Sequence, residues 1–218
     1  MRIAQRIRRD GFAFLDAYKP NLPTAKVAQI LGHEIALPNV PDVQRLVPKP
    51  VVRSTPNSYS GNYGLGRFPL HTDLAHWARP PHYLLLRCVV GSPNVATHVL
   101  DGNALLDTIG QDDLWRALVR PRRPLNGRRE LLRLLELVGA RGLLRWDFLY
   151  IRPASDFGKA ICDHVVDLLQ VALPSSHYLT QPGDTLVIDN WRMLHGRSAI
   201  TAPAENRLIE RMYLGDVN

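Results

Sequence analysis

The sequence predicts a mainly β chain with flanking helices, its short strands closing into a double-sheet barrel. Three observations carry that prediction. Short apolar runs rich in Val, Ile, Leu and Tyr recur along the chain without the regular strand–helix alternation of a parallel sheet. Turn-forming residues, including 17 Pro and 15 Gly, punctuate those runs. A composition of 45% hydrophobic and 22% charged residues over 218 positions is that of one folded domain, long enough to bury a core without disulfides.

Taken in order, residues 1–9 read as a short basic helix and 11–15 (GFAFL) as a strand. Residues 24–31 have helical spacing and stop at Gly32. Residues 38–69 are rich in Pro, Gly, Ser and Asn and predict long loops with short strands; within them 59–66 (YSGNYGLG) reads as a flexible loop. Strands follow at 82–90 and 95–100. Residues 104–119 read as a helix, and the paired leucines of 131–138 also have helical spacing. Residues 143–151 are expected to be extended. Residues 155–173 form an amphipathic helix with Ser155 as N-cap and Pro174 just past its end. A last group of strands covers 177–180, 185–189 and 206–214, with Gln181-Pro-Gly-Asp184 suited to a type II turn.

His71-Thr-Asp73 is the first chemical candidate. On a strand, residues two apart share a face, so an imidazole and a carboxylate converge. Such a pair arises readily by chance and by itself reads as a hydrogen-bonded surface pair. A distant histidine would complete a two-His, one-carboxylate triad, which leaves positions open on Fe(II) for a bidentate cosubstrate and oxygen. His195 lies just after a predicted strand, in Asp189-Asn-Trp-Arg-Met-Leu-His-Gly-Arg197. Arg207 and Arg211 share one face of the last predicted strand, and guanidinium groups there suit a carboxylate. Thr97, on another predicted strand, is placed to add a hydroxyl to the same anion.

The net charge of +7 is concentrated. Nine Arg against Glu130 and Glu136 between residues 116 and 145 account for +7 in that stretch alone. Such a segment is either a solvated face or a surface for an anionic partner. Nucleic acid is disfavoured, since neither zinc-finger spacing nor an RNA-binding aromatic signature is present. No apolar run approaches the ~20 residues of a membrane-crossing helix. The basic start is not followed by an apolar stretch and cleavage site, so the chain is expected in the cytoplasm, with Cys88 and Cys162 as reduced thiols. His76, His82 and His98, and the aromatics Tyr63, Trp77 and Trp191, are read first as structural; His76 and the aromatics are also placed to reach a pocket.

The combined set, H-x-D at 71–73, Thr97, H-G-R at 195–197 and R-x-x-x-R at 207–211, resembles the taurine dioxygenase-like (clavaminate synthase-like) branch of the Fe(II)/2-oxoglutarate oxygenases. The contexts P-L-H-T-D-L and R-L-I-E-R-M-Y-L-G-D are similar to that family as well. The resemblance covers about residues 57–216. It implies a double-stranded β-helix, the jelly-roll or cupin-like core, with residues 1–56 as an N-terminal flank and a helical insert at about 101–173, all in one oxygenase domain. It implies that His71, Asp73 and His195 bind Fe(II) and carry the catalysis, and that Arg207 and Thr97 hold the distal carboxylate of 2-oxoglutarate. It places Arg211 near the cosubstrate or substrate. The expected reaction is O2-dependent oxidation, most simply hydroxylation, of an unactivated C–H in a small-molecule, anionic or carrier-bound substrate, with release of succinate and CO2. Related halogenases replace the carboxylate ligand by a small residue, so Asp73 implies oxygenation.

The chain departs from the family in being short, and Arg67 stands where members often carry a polar substrate contact. A metal-dependent cupin would keep the three ligands but would not need Arg207. A nucleic-acid or acidic-partner binder would explain residues 116–145 but not the triad. Lying between the two halves of the metal motif, the Arg-rich segment is expected to border the active-site mouth.

Overall fold

The computed structural model describes residues 2–125, 127–202 and 204–218. In chain order the elements are α1 (Ile3–Asp10), β1 (Phe12–Leu15), α2 (Thr24–Leu31), β2 (Gly32–Glu34), β3 (Gln44–Leu46), α3 (Tyr59–Tyr63), β4 (Phe68–His71), β5 (Tyr83–Val90) and β6 (Ala96–Asp101). The middle of the chain adds α4 (Asn103–Ile109), α5 (Gln111–Arg116), β7 (Leu118–Pro121), β8 (Leu132–Arg133), β9 (Leu135–Val138), β10 (Arg141–Leu144) and β11 (Ile151–Pro153). The chain closes with α6 (Asp156–Val171), β12 (Ser175–Tyr178), β13 (Thr185–Asp189), β14 (Met193–Arg197) and β15 (Leu208–Val217).

Two antiparallel sheets form the barrel, as the sequence predicts. The larger runs β1-β13-β5-β15-β2, with β3 also paired to β15; the smaller runs β12-β6-β14-β4. Alternation along the strands sorts side chains between layers. Leu84, Leu86 and Cys88 of β5, Leu186 and Ile188 of β13 and Ile209 of β15 meet Val99 and Met193 of the smaller sheet in the core between the sheets. Burial there pushes the Cys88 thiol up to about 11, which keeps it protonated and inert. The opposite face of the larger sheet (Leu85, Val187, Met212, Leu214) is covered by Ile7 of α1 and Val27, Ala28 and Leu31 of α2. The outer face of the smaller sheet, through Leu70 and Leu194, packs on the segment 103–171.

That segment is where expectation and structure differ most. The helix expected over 104–119 is two short helices broken at Gly110, whose φ of +96° lies in the left-handed region that glycine tolerates. Residues 131–138 are strands, not a helix: β8 pairs with β7, and β9 forms a hairpin with β10. The doublet Leu134-Leu135 breaks strict alternation and so mimics helical spacing, but Gly139 at φ +61° opens a two-residue hairpin turn that settles the pairing. Residues 143–151 are extended only at their ends, in β10 and β11. The insert is therefore mixed rather than helical. Its long helix is as expected: the Ser155 hydroxyl accepts the Gly158 N–H at 3.0 Å. The 181–184 turn is also as expected, with Gly183 at φ +93° and the Asp184 N–H donating to the Gln181 carbonyl.

Residues 59–63 form the short helix α3 rather than a flexible loop, with Ser58 capping the Gly61 N–H. No helix among the described residues is long and apolar enough to cross a membrane.

Candidate metal centre

The register of the smaller sheet assembles the site. His195 of β14 lies directly opposite His71 of β4 on one side and Val99 of β6 on the other; Arg197 lies opposite Phe68 and Thr97. Direct partners in an antiparallel pair point to the same face. His71, His195, Thr97 and Arg197 thus share the inner face, while Leu70 and Leu194 point outward. His195 is inside a strand, not after one as the sequence reading had it. Gly196 between them is required by space: a Cβ there would sit 2.7 Å from the Phe68 carbonyl oxygen.

Asp73 lies just past β4, so strand alternation brings it only part of the way. Long-range partners do the rest. The fully buried Asn190 accepts the Asp73 N–H at 2.7 Å and donates to the carbonyls of Asp73 (3.0 Å) and Pro81 (2.9 Å). Arg211 Nη1 and the Tyr213 hydroxyl both donate to Asp73 Oδ2 at 2.9 Å. Arg211 is itself held by Gln44 Oε1 at 2.6 Å. Oδ1 is left facing His71 Nε2 and His195 Nε2, 3.4 Å from each. The three ligand atoms lie within 4.8 Å of one another, and all three residues are buried.

Hydrogen bonds and neighbouring charges set the protonation of the three groups, holding His71 up, toward the charged form. His71 Nδ1–H donates to the Pro69 carbonyl at 2.9 Å, which leaves the Nε2 lone pair directed at the centre. Burial alone would raise the Asp73 carboxyl; the Arg211 charge and the hydrogen bonds of His195 and His71 outweigh it and hold the group well below the usual carboxylate range. Burial pulls His195 down, toward the neutral ligand form. Two imidazoles and one carboxylate oxygen, with the other oxygen occupied, form the donor set of a facial triad, and the geometry fits such an ion.

These residues line a cavity of about 570 Å³. Thr97 and Arg207 line it as well, both buried. Arg207 has no carboxylate partner among the described residues, and its Nε is buried without a hydrogen bond. Burial lowers it to about 10. Arg197 is lowered to about 10 in the same way; it donates to the carbonyls of Gly64 and Gly66 and lies 3.6 Å from the Phe68 ring centre. Arg211, expected near cosubstrate or substrate, lines the cavity and is paired with the Asp73 carboxylate.

The Arg-rich segment does not line this cavity. Its cations come from Arg45, Lys49, Arg197, Arg207 and Arg211. Arg133 stacks on Trp115 and Arg116 on Phe157 at the surface. Arg145 is fully buried and donates to the carbonyls of Ala75, Trp77, Ala78 and Arg133 and to Glu136, a structural role. Exposed Arg67 and surface His98 stand outside the site, and His82 stacks on Tyr83 and Trp191. His76 does line the cavity. Sequence reasoning missed Gln44, Tyr59, Asp147, Tyr150 and Asn190.

The sequence profile of the family described as taurine catabolism dioxygenase TauD, TfdA family matches residues 151–213, the stretch from β11 through most of β15. Over that stretch the chain is similar to the family. A search of the curated proteins found no match. Among solved structures, the chain is similar to an asparagine oxygenase in complex with Fe(II), 2S,3S-3-hydroxyasparagine and succinate, at 19% identity and a TM-score of 0.71, over 97% of this chain and 77% of that one. It is similar to PvcB, an Fe, alpha-ketoglutarate dependent oxygenase from an isonitrile synthetic pathway (19%, TM-score 0.64, 95% and 77%). It also resembles the non-heme iron oxygenase OrfP in complex with Fe and alpha-ketoglutaric acid (21%, TM-score 0.61, 80% and 57%). These likenesses establish the double-sheet fold.

Proposed function

We propose that this chain is an Fe(II)- and 2-oxoglutarate-dependent oxygenase that hydroxylates an unactivated C–H of a small-molecule substrate. The observation that carries the reading is one inner face holding two Nε2 atoms and one carboxylate oxygen beside a buried guanidinium that lacks an anion. In this reading His71, Asp73 and His195 hold the iron. Arg207 and Thr97 hold the distal carboxylate of 2-oxoglutarate by charge-assisted hydrogen bonds. When bound, iron with 2-oxoglutarate and O2 supplies the oxidation of the C–H bond, with succinate and CO2 as co-products.

The chain's own residues have distinct tasks. Arg211 and Tyr213 occupy Asp73 Oδ2, so the carboxylate offers one oxygen and positions stay open for cosubstrate and oxygen. Pro69 fixes the His71 tautomer. Leu86 and Ile209 line the cavity beside the site and keep bulk water from it. A cavity of this size accommodates a keto acid and a second molecule of amino-acid dimensions. Amino-acid products appear in the asparagine oxygenase and OrfP complexes, which supports that scale of substrate. We read residues 1–218 as one oxygenase domain in which the N-terminal flank supplies Gln44 and the cavity wall.

Succinate formation tests the reading. Iron-loaded protein in air with 2-oxoglutarate and a panel of amino acids is expected to form succinate above background with at least one member. Asp73→Ala is expected to abolish it, and Arg207→Ala to raise the 2-oxoglutarate requirement at least tenfold. Succinate formation that survives Asp73→Ala would refute the assignment.

A further inference from the structure

A second carboxylate faces the cavity, and the proposed iron and keto acid do not use it. Asp147 is 1% exposed and lines the same cavity as His71. Its Oδ1 accepts the backbone N–H groups of Leu149 (2.8 Å) and Tyr150 (3.1 Å). An asparagine would cap that turn equally well, so the charge is surplus to the local structure. Asp73, the other carboxylate of the cavity, has Arg211 as counter-charge; Asp147 has no Lys or Arg ion-pair partner among the described residues, and His71 is the charged group that acts on it most. A buried carboxylate without a cation is costly. Burial pushes this one up to about 6, which still leaves it ionised at neutral pH.

Aromatic rings line the same cavity. Tyr59 and Tyr150 are 6.0 Å apart between centroids, Tyr150 and His76 5.1 Å, and all three line the cavity. Ring faces attract cations, and a buried carboxylate in the same wall adds its field. Tyr59 also stacks on His71 at 4.1 Å, so the wall abuts the candidate metal centre.

We propose that this wall, Asp147 with Tyr59, Tyr150 and His76, is the seat for a cationic group of the substrate, an ammonium or guanidinium. Its role as a substrate seat rests on the oxygenase reading; the binding of a cation does not. The seat orients the remainder of the molecule toward His71 and His195.

Paired fragments test it. n-Butylguanidinium and its uncharged isostere n-butylurea are titrated calorimetrically into the full chain, with and without Fe(II) and 2-oxoglutarate under anaerobic conditions. The guanidinium is expected to bind about tenfold or more tighter than the urea. Asp147→Asn is expected to reduce that preference to near unity while binding of the urea is unchanged. Tyr150→Leu, which removes one ring and leaves the carboxylate, is expected to lower guanidinium affinity several-fold. Equal affinities in the unmodified chain, absence of saturable guanidinium binding, or a preference retained in Asp147→Asn would each overturn the proposal. A chain that prefers the cation yet forms no succinate from 2-oxoglutarate would refute the oxygenase reading and leave the seat standing; the converse would remove the seat alone.

Discussion

Replacing Asn190 by leucine removes the clamp on the Asp73 peptide while keeping the volume nearly unchanged. Asn190 is fully buried and makes three side-chain hydrogen bonds, one from the Asp73 N–H and one each to the carbonyls of Asp73 and Pro81. Leucine leaves those three backbone groups without their partner and too enclosed for water to substitute. At roughly 1–3 kcal/mol for each buried group so orphaned, less what the apolar side chain returns, the expected loss is about 4 kcal/mol of folding stability. The same change frees the peptide that carries a metal ligand, and loss of such a supporting contact weakens metal binding about 10- to 100-fold. Urea denaturation of metal-free protein reads the first effect, and optical titration with Co(II) reads the second. A loss below about 1 kcal/mol together with unchanged Co(II) affinity would refute the claim that Asn190 sets the position of Asp73.

Asp147→Asn is expected to change the pH dependence of stability in metal-free protein. The native carboxyl is raised from 3.8 to about 6, chiefly by burial, so the folded state favours the protonated form. Its contribution is fully present below about pH 4 and is lost as pH rises through 6, ~3 kcal/mol in all. The variant lacks that loss, so denaturation midpoints of the two proteins should diverge from pH 4 to pH 7, with the variant the more stable at pH 7; parallel curves would contradict it. Gly196→Ala forces a Cβ to 2.7 Å from the Phe68 carbonyl and 3.2 Å from that of Pro69, the acceptor of His71. A cost of about 1–3 kcal/mol is expected, with weaker Co(II) binding, by thermal melting and titration; no change in either would show that β4 and β14 yield freely. Arg145→Met strips a fully buried guanidinium from four carbonyls and Glu136. We expect a loss of about 3–5 kcal/mol by urea denaturation, and a near-neutral result would contradict the structural role assigned to it.

What the sequence disclosed follows the range of the interactions involved. β1, β5, β6, β13 and β15 are marked by local apolar runs, and the long helix by its cap and its proline, so these were readable, whereas β14, which carries His195, was not. His71 and His195 were found through motifs that the antiparallel register brings face to face. Alternation placed Asp73 near His71, but its final position depends on Asn190, Arg211 and Tyr213, which lie 117 to 140 residues away and leave no local pattern. The insert misled because leucine doublets suit a helix and a kinked pair of strands equally, and the partners that decide, β7 and β10, are matters of topology. Clustered arginines in sequence were likewise no guide to place: Arg145 is interior, while Arg116 and Arg133 lie on surface aromatics. Tyr59 and Asp147 come from a loop region and from the insert, and nothing near either residue announces that the fold sets them against His71.

The central claim is that one inner face holds iron and a keto acid together. Anaerobic titration of the purified protein with Fe(II) and then 2-oxoglutarate, watched for the weak visible charge-transfer band of the chelate, tests it most directly. The band is expected only when both are present, to vanish in Asp73→Ala, and to require at least tenfold more keto acid in Arg207→Ala. Iron binding without any keto-acid band, or a band indifferent to Arg207, would contradict the account.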